Sequence, residues 1–134
     1  MDPMLAALIS TASGYSAVLL TASPQSDYLM QSAQQQAEYQ ARVCEQGHQN
    51  WDERKYAIEQ SFSGQVDVEE ICAESWPLEY QDDKTPVGIG RGMWDSWRQS
   101  PGHWAVCTAA HKHVGYGIAQ GRNGVWYATI QVAD

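Results

Sequence analysis

The chain has 134 residues, 43% of them hydrophobic and 18% charged, which suits one domain with its own core and excludes a disordered chain. Sixteen acidic residues against eight basic ones give a formal net charge of −8. That balance argues against a nucleic-acid ligand, because phosphate binding rests on clustered lysine and arginine.

In chain order, Met4 to Ile9 is an apolar helix candidate ended by Gly14, and Ala17 to Leu20 is a second apolar piece; residues 1–14 form an N-terminal helix or arm. Ser23-Pro24 reads as a helix start, a serine cap followed by proline where its missing N–H costs nothing. Leu29, Ala33, Ala37, Ala41 and Cys44 recur at helical spacing, so a small-residue face is expected to about Gln46, with glutamines toward solvent and Gly47 as the stop. A shorter helix is expected from Trp51 to Phe62, burying Trp51, Ile58 and Phe62, closed by Ser63-Gly64. Val66 to Trp76 alternates in part, as a strand or loop that Pro77 ends.

Asp82 to Pro86 is turn-like, and Thr85-Pro86 begins another helix, running to Gln99 with Val87, Ile89, Met93, Trp94 and Trp97 as its apolar residues. Gly88, Gly90 and Gly92 weaken that helix by about 1 kcal/mol each relative to alanine. Ser100-Pro101-Gly102 breaks the chain and presents His103, followed by another turn of helix over Trp104 to Ala110. Residues 114–120 and 125–132 flank Gly121-Arg122-Asn123-Gly124, an antiparallel hairpin with Asn-Gly turn chemistry.

Three residues suited to chemistry sit beside these breaks: His48 after a helix stop, Glu74 in Cys72-Ala73-Glu74-Ser75-Trp76, and His103 after Pro-Gly. Two histidines and a carboxylate fit a divalent metal such as zinc with a position open to water, or an acid/base pair. They fit equally a buried polar network joining three segments. His111-Lys112-His113 is expected to be a solvated loop, and most of the six tryptophans to be core. Cys44, Cys72 and Cys107 are odd in number and lack metal-type spacing, which leaves one bridge plus one thiol, or three thiols. No positively charged leader and no long apolar run are evident, so neither a standard signal peptide nor a membrane span is expected.

Ser100-Pro101-Gly102-His103, with Trp97 six residues before the histidine, then Val114-Gly115-Tyr116-Gly117 and a closing aromatic strand, resembles the bacterial branch of the CAP (SCP-like) domain family. The Ala33, Ala37 helix, His48 and Ala73-Glu74-Ser75 fall in the family's order. The resemblance covers residues 15 to 133 and implies a single CAP-like α/β domain over 1–134. Its implied fold is a three-layer α/β/α sandwich with a C-terminal antiparallel hairpin and a cleft holding His48, Glu74 and His103. In many members two histidines and two acidic residues of this cleft hold a divalent metal. Here Ala73 and Ser75 replace the family's glycine and asparagine, no second glutamate precedes Ser100, and Trp104 replaces a basic residue.

The function expected from these readings is a non-enzymatic binding or structural interaction module with protein partners or self-assembly, including use in a phage particle or extracellular setting. The alternative is a divalent-metal-dependent hydrolase working through His48, Glu74 and His103.

Overall fold

A computed structural model describes residues 1–76 and 83–134; Pro77 and Asp82, named above as a strand end and a turn start, lie outside the described residues. The chain mixes helix and strand, with a three-stranded antiparallel sheet of order β1-β3-β2 among the described residues: β1 (Val68–Glu74), β2 (His113–Gln120) and β3 (Trp126–Ala133). The hairpin is the expected one. Gly121 donates its N–H to the Val125 carbonyl (2.8 Å), and Gly124 takes the positive φ of 81° that closes the turn.

Helices pack on both faces of the sheet. On one face, α3 (Asp27–Val43) lies so close to β2 that a Cβ on Gly115 would overlap the Leu29 backbone, and one on Gly117 the backbone of Ala33 and Gln34. Helix α4 (Trp51–Ser61) joins this side, burying Ile58 with Leu29, Val68 and Ala133, while Trp51 and Phe62 are only partly covered. On the other face, Ile71, Ala73, Tyr116, Ile118, Ala128 and Ile130 meet α1 (Pro3–Thr11), α5 (Pro86–Arg98) and α6 (Pro101–Cys107). Trp94 and Trp97 of α5 are fully buried there, and Trp94 donates its indole N–H to the Leu8 carbonyl at 2.8 Å.

Several local readings change. Helix α3 starts at Asp27 with Ser26 as its cap, because Pro24 and Ser26 instead extend along β2: Val114 donates to the Pro24 carbonyl (2.9 Å) and Ser26 to that of Val114 (3.0 Å). The helix ends at Val43 through Cys44 in the left-handed conformation (φ 55°), not at Gly47. Of the second apolar piece, now the short helix α2 (Val18–Thr21), Leu20 is buried whereas Val18 and Leu19 are exposed. Thr85-Pro86 does start α5, the threonine hydroxyl accepting the Gly88 N–H at 3.2 Å. Pro101 occupies the first turn of α6, so Ser100-Pro101-Gly102 both separates two helices and begins the second, with His103 inside it. All three cysteines are free thiols. His111 is bound rather than solvated, its ring nitrogens 2.8 Å from Asp134 and from the Val106 carbonyl, while His113 opens β2 against the Phe62 ring.

Candidate functional site

The site forms at the open edge of β1. Asp67 and Asp134 exchange backbone hydrogen bonds and Ser75 donates to Trp126, so the odd-numbered residues of this antiparallel ladder pair with β3 and the even ones face the open edge. There the Cys72 carbonyl accepts two side chains from opposite sides, the Trp97 indole N–H (3.0 Å) and the Gln46 amide (3.4 Å). One backbone oxygen thus ties α5 to the loop after α3.

That loop carries His48 and is held by glutamines that sequence periodicity assigned to solvent. Gln36 and Gln40 are buried on the inner face of α3. Gln40 accepts the Gly47 N–H (3.2 Å) and donates to the Thr129 hydroxyl (2.8 Å), while Gln36 donates to the Gly47 carbonyl (2.9 Å). A buried amide persists only when its donors and acceptors are met, so these bonds fix the loop that presents the imidazole.

The carboxylate that meets His48 is Glu70, four residues before the expected Glu74. His48 Nδ1 lies 2.9 Å from Glu70 Oε1, Arg54 donates to both carboxylate oxygens, and Gln131 donates to Oε2 at 2.7 Å. The Glu70 side chain is 1% exposed. Burial alone would raise its pKa, but the bonds from His48, Arg54 and Gln131, together with the Arg54 charge, hold it below the ordinary carboxylate value. Arg54 also stacks over Trp51, 5.1 Å from the ring centroid. Glu74 is the exposed last residue of β1, opposite Tyr127, and its carboxylate makes no hydrogen bond or ion pair among the described residues.

His103 projects from the first turn of α6 and is half-buried. Its pKa is lowered, first by burial and then by the charge of His48. Asp95 of α5 is engaged elsewhere, 3.0 Å from Arg98. The structure therefore joins His48 to Glu70 and Arg54, places His103 on α6 with no hydrogen bond to any of them, and leaves Glu74 at the strand end.

Two ligand sets can be tested for metal. His48, Glu70 and Cys72 have donor atoms within 4.8 Å of one another. They suit an ion poorly: both Glu70 oxygens are committed to Arg54, and burial, followed by the Glu70 charge, pushes the Cys72 thiol up to about 12, which keeps it protonated. The second set is the pair of histidines. With Nδ1 directed at Glu70, a neutral His48 carries its proton there and keeps Nε2 as a lone pair, an arrangement common where a carboxylate orients a metal-binding imidazole. Compared with known proteins, the chain matches no family model and no curated sequence significantly.

Proposed function

We propose that this chain is a CAP-like (SCP-like) three-layer α/β/α domain acting as a non-enzymatic binding or structural interaction module, within a larger assembly such as a phage particle. The observation that carries this reading is the state of Glu70. It is enclosed and spent on Arg54, His48 and Gln131, so the group best placed to serve as a general base is instead the anchor of a network joining α4, the His48 loop, β1 and β3. A carboxylate held ionised by a bidentate arginine accepts a proton poorly near neutral pH.

The second reading, a divalent-metal-dependent hydrolase, is favoured by the lone pair left on His48 Nε2 and by the neutral form that His103 prefers. In that reading His48 and His103 would hold the ion, which would supply an activated water, and Glu74, whose carboxylate makes no hydrogen bond or ion pair among the described residues, would be a further ligand or the general base.

Elemental analysis of the dialysed protein and of its His48→Ala and His103→Ala variants separates the two. The interaction module predicts less than a tenth of an equivalent of zinc, manganese or nickel in all three proteins, with variants that are merely less stable. A stoichiometric ion lost from both variants would overturn it in favour of the hydrolase.

A further inference from the structure

A second surface lies on the opposite side of α3 from the Glu70 network. A groove of about 480 Å³ runs between the first turn of α1 and the N-terminal half of α3. Leu5 and Met30 form its apolar floor over the fully buried Tyr116, Gln31, Gln34 and Gln35 line its wall, and its rim includes Asp2 and Glu38. Its volume is that of a ligand pocket.

The strand beneath it is closed to pairing. Gln34 uses its amide as a substitute strand, accepting the Ile118 N–H (2.9 Å) and donating to the Ile118 carbonyl (3.0 Å), and the Met30 thioether accepts the Tyr116 N–H at 3.3 Å. An occupant must therefore enter through side chains, as an amphipathic helix does, and not as an added strand. Charge narrows it further. The groove is lined by two carboxylates and no cation, and Asp2 spends only Oδ1 in capping α1, on the N–H groups of Met4 and Leu5. A second copy of this chain, with net charge −8, brings the wrong sign. We propose that this groove docks a basic amphipathic helix of a protein partner, apolar residues over Leu5 and Met30 and lysine or arginine beside Asp2 and Glu38. This surface shares no lining residue with the network of Glu70, His48 and Arg54.

The test uses the full chain and a synthetic amphipathic helix built from leucine and lysine, with a leucine and glutamate peptide of the same pattern as its counterpart, read by fluorescence anisotropy. The lysine peptide is expected to bind, more weakly as salt rises, and at least tenfold tighter than the glutamate peptide. Glu38→Lys should weaken it about tenfold, and Asp2→Ser, which keeps the α1 cap while removing the charge, about threefold. Glu59→Lys on α4 alters net charge by the same amount as Glu38→Lys away from the groove, and should change affinity less than twofold. Equal losses from Glu38→Lys and Glu59→Lys, equal binding of the two peptides, or concentration-dependent self-association that Glu38→Lys abolishes would each overturn the assignment.

Discussion

Glu70 is the residue on which the network of His48, Arg54 and Gln131 depends. Replacing it with glutamine leaves Arg54 facing a neutral amide in a buried position, and Glu70→Gln is expected to cost about 2–3 kcal/mol in urea unfolding, part of it recovered when Arg54→Met is added. The pH dependence has a definite sign. Because the folded carboxyl lies below its ordinary value of 4.5, the unfolded chain takes up this proton first as pH falls. The stability Glu70 contributes is thus complete above 4.5 and lost as pH drops through the folded value, and Glu70→Gln should flatten that acid limb. His48 stood out in the sequence because it follows a helix stop, and it lies in the loop after α3. Glu70 did not stand out: an acidic residue in the interior of a strand reads as solvent-facing until its partner is known, and Arg54 lies 16 residues earlier on a separate helix. The alternation at Val68, Glu70 and Cys72 was the available signal, since it puts glutamate on the same face as two buried residues.

At the scale of elements, the contact between α3 and β2 is set by residues with little or no side chain. The Leu29 backbone meets Gly115 and the backbone of Ala33 and Gln34 meets Gly117, so the helix and strand backbones approach more closely than a larger residue on the strand permits. Gly117→Ala is expected to destabilise by about 3 kcal/mol, because the new methyl group meets backbone, which cannot rotate away. Gly92→Ala, in the interior of α5 with open space around its Cα, should stabilise by about 0.5–1 kcal/mol. Thermal denaturation of both variants checks the contrast. The small-residue stripe of α3 was visible from its spacing, as was the hairpin from Asn-Gly. The start of α3 was misplaced because serine before proline suits either a helix cap or an extended segment, and only Val114, about ninety residues later, decides for the latter.

Across the whole molecule, the sheet is the common floor of both helical groups, and β1 links them at its free edge through the Cys72 carbonyl. The α1, α5 and α6 side has one buried cluster with all three strands, including Leu8, Trp97, Tyr116 and Ile130, and the α3 and α4 side has a smaller one of Leu29, Ile58, Val68 and Ala133, so the two sides share the sheet between them. Unfolding by urea should therefore be a single transition, with far-UV circular dichroism and hydrogen-exchange protection of β3 giving the same midpoint. Separate midpoints would show that α1 and α5 detach from the sheet on their own. Composition was enough to anticipate a chain that buries a core of its own. The meeting of helical groups at one strand edge depends on tertiary pairing that no local pattern encodes.

Trp94 and Trp97 lie 5.0 Å apart with their planes at 71°, both sealed from water. Indoles this close and this steeply inclined exchange excitation between their transition dipoles, so the folded protein has a built-in chromophore pair. One of the two is tethered to β1 through its N–H, which makes the optical splitting a report on the same strand edge where Gln46 meets the Cys72 carbonyl.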